Sequence, residues 1–294
     1  MSIETFIAGH RLPAAFAQVA STHYTPLAER VHAAAARRPG LFVLGVNGAQ
    51  GSGKSTLAAF LAARLSEHHG LQVAELSIDD LYLTRAERAR LGQDVHPLLA
   101  TRGVPGTHDV ALGRRTLAAL AGRSGTVPLP RFDKSRDDRV ARERWPGVRL
   151  PIDVVVFEGW CVGSRAEPSR RLAEPVNELE RREDPDGRWR SWVNTRLRED
   201  YPALFEPLDA LVHLHVPGFE AVRGWRLEQE HKLRESAGEQ GDAVMDDAAV
   251  ERFIAHFERI TRHDLAEMPA RADALLELDE SHAVSASRFR GRLA

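Results

Sequence analysis

"VNGAQGSGKST", Val46 to Thr56, is the stretch on which the reading of this chain turns. Gly48, Gly53, Lys54 and Ser55 satisfy the pattern G-x-x-x-x-G-K-[ST], and Gly51 adds a further glycine inside the loop. The apolar run "LFVLGV" (41–46) comes before it, and Leu57, Phe60, Leu61 and Leu65 recur at helical spacing after it. Strand, glycine loop and helix in that order are the context the motif requires. Glycines let the backbone bring successive N–H groups close to a β-phosphate, and the helix N-terminus behind them adds its positive end. The residues expected on the nucleotide's phosphates are therefore Gly48, Ala49, Gln50, Gly51, Ser52, Gly53, Lys54, Ser55 and Thr56. Lys54 is expected to reach the β- and γ-phosphates and Ser55 to ligate Mg²⁺. The loop alone does not say whether the terminal phosphate goes to water or to an acceptor.

Bulk properties narrow the choice. With 294 residues, 43% of them hydrophobic, the chain can bury a full-sized core, and one domain with a lid or insertion is the expectation. Forty basic residues against 42 acidic ones leave a net charge of −2, which argues against a dedicated nucleic-acid binder or a basic membrane-surface protein. Cys161 is the single cysteine, so neither an internal disulfide nor a cysteine-based zinc site is expected. The first twenty residues lack a basic segment followed by a sustained apolar run. No apolar stretch approaches the roughly 18 residues that span a bilayer. The expectation is a cytoplasmic protein without a membrane partner.

Five short apolar runs read as strands covered on both faces: 41–46, 72–77, 152–158, 210–216 and 273–278. Between them, Leu112, Thr116, Leu117 and Leu120 form one helical stripe, and Phe253, Ile254, Phe257 and Ile260 another. Alternating strands and helices predict an α/β fold with a mostly parallel five-stranded sheet and helices on both faces, the arrangement of P-loop NTPases. Residues 1–40 read as an N-terminal helical extension, and 41–294 as the nucleotide-binding domain. Within that domain 164–200, charged and proline-bearing, reads as an inserted helical hairpin turning at Pro185–Asp186–Gly187.

The second strand ends in "SIDDLYL", which sets Asp79 and Asp80 just beyond the carboxyl end, where open α/β sheets bind ligands. A carboxylate there can take the proton of an attacking hydroxyl, and Asp79 is the better placed of the two. "VVVFEGW" puts Glu158 at another strand end, suited to Mg²⁺ or its waters. The base-specific N-K-x-D of GTPases and the L-S-G-G-Q signature of transporter ATPases are both missing. In "RGVPGTHD", a Pro105–Gly106 turn and an N-cap at Thr107 or Asp109 account for much of the segment, but not for Arg102 or His108. Arg102 and Arg131 could grip a carboxylate through paired hydrogen bonds, with His108 beside them. After the fourth strand Arg223 and Arg226 share a helix face, with Lys232 and Arg234 further along. A lid over about 219–240 would carry such arginines to the transferring phosphoryl group, Arg226 first among them.

Taken together, "GAQGSGKST", "SIDDLYL", "RGVPGTHD", "LPRFDKS", "FEGW" and "WRLEQEHKLR" resemble the D-glycerate 3-kinases of the plant and fungal type. That group is related to phosphoribulokinase, uridine kinase and pantothenate kinase. The resemblance runs from about residue 41 to about residue 280. It implies ATP- and Mg²⁺-dependent transfer to the 3-hydroxyl of D-glycerate, a small hydroxy acid, with Asp79 as base. It also implies Asp80, Tyr82 and Asp133 among the acceptor's ligands. Phe132 replaces a tyrosine often found in the family, and Ser281 and His282 stand where an asparagine and an arginine are expected near the adenine. Read without the resemblance, the residues also admit another acceptor (pantothenate, a nucleoside or a sugar phosphate) or a non-catalytic ATP-binding regulator. An intact Lys54, Ser55, Asp79 and Glu158 weighs against the regulator.

Overall fold

The computed structural model describes residues 2–237 and 246–294, without the side chains of 229 and 232–237. Lys232, Arg234 and residues 238–240 of the expected lid therefore lie outside the description. Six strands form the central sheet: β1 (Phe42–Gly48), β2 (Val73–Ser77), β3 (Val154–Gly159), β4 (Ala210–His215), β5 (Ala274–Leu278) and β6 (Val284–Phe289). Their order is β6-β5-β4-β1-β3-β2, parallel throughout except for β6, which runs antiparallel to β5. The sheet thus has one strand more than the five expected. "VSASRF" escapes detection because it alternates polar and apolar residues on an edge, with a register shift between Val284 and Ala286. The five expected strands are all present, and β1 and β3 are buried along their whole length.

Alternation along β3 builds two cores. Val154 and Val156 face one way, toward Leu44, Leu57 and Leu61. Val155 and Phe157 face the other, toward Leu76, Leu117 and Trp160. The first core also takes in Phe6, Tyr24, Leu27 and Val31 from helices Ile3–His10 and Thr25–Ala36 and the turn between them. Phe6 and Tyr24 meet Phe60 of the phosphate-loop helix at ring-centroid distances of 5.3 and 5.7 Å. A fully buried large apolar side chain is worth about 1.5–3 kcal/mol. Four of them approach the roughly 5–15 kcal/mol net stability of a domain. The first forty residues are therefore part of the fold that holds the phosphate loop in place.

The carboxyl ends of the parallel strands lie side by side. Ser77 of β2 is level with Glu158 of β3, Glu158 with Val46 of β1, and Asn47 with His213 of β4. Asn47 is buried and ties this edge together, donating to the carbonyls of Trp160 (3.1 Å) and Val162 (3.0 Å) and meeting His213 Nδ1 at 2.9 Å. Segment 164–200 holds helices Glu178–Glu183 and Arg188–Glu199, joined through Asp184–Gly187. Arg259 of helix Asp247–Glu267 binds Glu180 with Nε at 2.7 Å and Nη2 at 2.6 Å, fastening that hairpin to the body. Among the described residues no helix is long and apolar enough to cross a membrane.

The same helix carries Asp264, whose side chain accepts a short hydrogen bond from Ser164. Burial pushes the Asp264 carboxyl up to about 8 from an ordinary 3.8, against the pull of that bond. A raised carboxyl is neutral in the fold and ionised in the unfolded chain. Its favourable share of stability is therefore complete below 3.8 and is lost as pH climbs through about 8. Asp264→Asn, neutral at every pH, is expected to melt above the wild type by a margin that grows from pH 5 to pH 8. The gain at pH 8 is on the order of 2–4 kcal/mol, read by calorimetry at the two pH values.

Candidate active site

The phosphate loop begins where β1 ends. A Cβ on Gly48 would stand 2.4 Å from Ser52 Oγ and 3.1 Å from Leu214 Cβ, so only glycine lets the loop fold back on its strand. Gly53 has φ +84 and precedes helix Lys54–His69, whose N-terminus has no side-chain cap. The first N–H groups of that helix, at Lys54, Ser55 and Thr56, are thus left for an anion. Ser52 is buried, and its Oγ and Gln50 Oε1 lack hydrogen-bond partners.

Asp79 sits in the tight turn Ile78–Leu81 directly after β2. Tyr82 donates its hydroxyl to Asp79 Oδ1 (3.1 Å), and Lys134 Nζ donates to Oδ2 (2.7 Å). Burial pushes the Asp79 carboxyl up, but the Lys134 and Lys54 cations together outweigh it and hold the group below its ordinary value. It is an ionised carboxylate in the field of the phosphate-loop lysine. Glu158 is buried at the end of β3, and its Oε2 has no partner. Burial raises its carboxyl, while Lys54 opposes that rise. A buried orphaned carboxylate oxygen beside Lys54, at the strand end facing Ser55's helix, is a donor of the kind a hard cation takes.

The residues expected on the acceptor fall into two groups. Tyr82 and His108 lie against Asp79. Their rings stack at 4.5 Å, and Tyr201 OH meets His108 Nδ1 at 2.5 Å. Burial lowers the His108 imidazole to about 4, so the ring is neutral at physiological pH. His108 Nε2 is buried without a partner, and a Tyr201 hydroxyl that donates to Nδ1 would place the ring proton there. Tyr201 also accepts from the Gly106 N–H (2.9 Å), which joins "RGVPGTHD" to the end of the inserted hairpin. In that segment Asp109, not Thr107, caps the next helix, accepting from Leu112 N–H at 2.8 Å.

The second group is engaged internally. Asp80 accepts from Arg131 Nη1 (3.1 Å) and Phe132 N–H (2.9 Å), so both Asp80 and Arg131 serve to hold the segment 130–132. Asp133 Oδ1 closes its own turn with Ser135 N–H (3.0 Å) and Ser135 Oγ (2.6 Å). Arg102 is paired to Asp137, which also holds the fully buried Arg88. The Phe132 ring lies 5.6 Å from the Arg88 guanidinium and 5.8 Å from that of Arg102, so its apolar face packs where a tyrosine was expected.

Arg102 shares a cavity of about 460 Å³ with Arg85, Asp137, Phe253 and Arg226. That cavity joins the acceptor segment to helix Phe219–Ala237. Arg226 pairs with Glu230 one turn on, whereas Arg223 turns to Glu251 of the neighbouring helix. Trp225 is buried, lies against Gly51 of the loop, donates to the Glu280 carbonyl (3.0 Å) and meets the His282 ring in a tilted contact at 3.8 Å. A larger cavity of about 770 Å³ opens among Ser164, Arg165, Leu208, Asp209 and Asp273, at the amino-terminal ends of β4 and β5. The phosphate loop, Asp79 and Glu158 lie at the opposite, carboxyl-terminal end of the sheet.

No protein-family model matches the chain. The uncharacterized kinase mug58 of Schizosaccharomyces pombe is 35% identical over 230 residues, which covers 74% of this chain and 78% of that one. The chain belongs to the P-loop small-molecule kinases. The chloroplastic D-glycerate 3-kinase of Arabidopsis thaliana is 32% identical over 226 residues, 73% of this chain and 46% of that protein's length. The chain therefore spans about half of that relative. Among solved structures, the D-glycerate 3-kinase of Cryptococcus neoformans var. grubii superposes with a TM-score of 0.74 at 28% identity. The match covers 90% of this chain and 98% of that one.

Three residues of this ATP-dependent kinase escape a reading of motifs. Lys134 lies inside "LPRFDKS", yet its bond to Asp79 spans 55 positions of sequence. Asp137 sits in a left-handed turn (φ +52) and supports two arginines. Tyr201 has only its aromatic character as a signal, and its role comes from meeting His108 across 93 positions.

Proposed function

We infer that this kinase moves the γ-phosphoryl group of ATP to the 3-hydroxyl of D-glycerate, giving 3-phosphoglycerate and ADP. The observation that carries the reading is Asp79: an ionised carboxylate at a strand end, in the field of the phosphate-loop Lys54 and electrostatically coupled to a buried Glu158. A hydrolytic motor has no need of a base there, whereas an alcohol acceptor does. The choice of glycerate is supported by the two relatives that bear that name.

In this reading the acceptor oxygen attacks the γ-phosphorus, its proton passes to Asp79, and the bond to the β-γ bridging oxygen breaks as ADP departs. Lys54 and the N–H groups of the loop hold the phosphates. Arg226 faces the cavity from which a closing helix would present it to the phosphoryl group. Neutral His108 offers Nε2–H to the acceptor, and Tyr82 fixes the orientation of Asp79. Ser55 and Glu158 fit Mg²⁺, directly or through water. When bound, the ion would neutralise charge developing on the phosphate oxygens.

The test is a coupled assay of ADP release with Mg-ATP and a panel of D-glycerate, L-glycerate, pantothenate, uridine and ribulose 5-phosphate, with NMR of the product. Rapid formation of 3-phosphoglycerate from D-glycerate alone is the expected result. Turnover of a different acceptor would discard glycerate and keep the kinase.

A further inference from the structure

Asp79 is held by two groups of unlike character. Tyr82 is buried and stacked on His108, so the Oδ1 contact is part of the packed interior. Lys134 is 61% exposed, and only its ammonium reaches Oδ2. The backbone that carries Lys134 is fixed on both sides. Before it, Asp80 holds the Phe132 N–H. After it, the buried Arg88 holds Asp137, and Arg139 binds the Tyr82 carbonyl with Nη2 at 2.7 Å. A mobile four-carbon stem on a fixed base can move its charge by a few ångströms without disturbing the fold.

An ammonium at 2.7 Å weakens a carboxylate as a base, because it favours the ionised form that must accept a proton. The attacking hydroxyl therefore needs Lys134 to give up Oδ2, and the released cation needs an anion near by. The other cations at this end are differently placed. Arg131 and Arg102 each have a carboxylate partner that is not the base, namely Asp80 and Asp137. Lys134 has the base itself.

We propose that Lys134 forms the acceptor's anion subsite, so that a carboxylate a few bonds from the reacting hydroxyl draws the ammonium from Asp79 onto itself and frees the base. The subsite takes small hydroxy acids and excludes neutral polyols and nucleosides, which bring no anion to exchange. This rests on the kinase reading above and deepens it: selection among acceptors comes from an ion pair that changes partner when the right one binds. A neutral acceptor must break the Lys134–Asp79 pair without replacing it.

The experiment compares D-glycerate with glycerol, which has CH₂OH in place of the carboxylate, in the wild type, Lys134→Met and Lys134→Arg. Methionine keeps the length of the side chain and drops its charge. Its position is exposed, so thermal melting is expected to be unchanged. Lys134→Met is expected to lower kcat/KM for D-glycerate by about 10²–10³. The value for glycerol should fall less than about threefold or rise, since Asp79 is no longer capped. Lys134→Arg should recover part of the loss on D-glycerate. An equal loss on both acceptors would show that Lys134 only orders Asp79, and a change confined to KM for ATP would place it on the nucleotide; either overturns the proposal. If the wild type ignores D-glycerate but Lys134→Met loses turnover of another anionic hydroxy compound, glycerate is discarded and the subsite stands. A wild type that prefers a neutral acceptor overturns both.

Discussion

Asp79→Asn is expected to lower kcat by about 10²–10⁴, the usual worth of a positioned general base, with KM for ATP changed little. The substitution keeps a carbonyl oxygen where Tyr82 donates and removes the charge that Lys134 binds. Burial pushes the carboxyl up and the two lysines more than reverse that push, so the wild-type base is already ionised throughout the neutral range. The acid limb of the kcat/KM profile, which reports the free enzyme with Lys134 still on Asp79, should lie below the range of an ordinary aspartate, and the residual activity of the variant should lack it. The effect on stability has the same sign. A carboxyl depressed in the fold contributes stability above its unfolded value of 3.8, and loses it as pH falls through the lower folded value. The melting advantage of wild type over variant should accordingly shrink on acidification. A variant within about threefold of wild-type kcat would move the base to another residue.

What could be read from the sequence was whatever depends on local pattern. β1 and β3 are apolar on both faces because both faces are covered, and such runs stand out. The glycine loop and the aspartate beyond β2 are legible for the same reason, since a turn chemistry and a strand end are each written within a few residues. β6 is half polar and pairs on one side only, so its pattern falls below what a run of apolar residues reveals. The arginines show a subtler limit. Arg102 and Arg131 stand out in the sequence as cations that could grip a carboxylate, but their carboxylates, Asp137 and Asp80, lie 35 and 51 positions away. The fold supplies the partner, and with it the difference between an arginine that braces a segment and one that grips a ligand. The first forty residues follow the same logic: their helices were expected, but their share in the core beneath the phosphate loop arises only when Phe6 and Tyr24 meet Phe60.

Lys54→Met should have a comparable effect through different physics. The lysine neutralises charge that grows on the transferring group, and loss of one preorganised donor of this kind costs about 10²–10³ in kcat. Nucleotide affinity should fall far less, because the uncapped helix N-terminus and the loop N–H groups still cradle the phosphates. The lysine also acts on both carboxylates. At Asp79 burial is opposed by Lys134 and then by Lys54, and at Glu158 burial is opposed first by Lys54. Without Lys54 both carboxyls rise, so the acid limb of the residual rate should move to higher pH. Asp79→Asn cannot produce that shift, because it removes the titrating group altogether. The two variants therefore separate loss of the base from loss of the cation that keeps it ionised. A fall in kcat with an unmoved acid limb would confine Lys54 to the phosphates and leave Lys134 as the cation that sets the charge of Asp79.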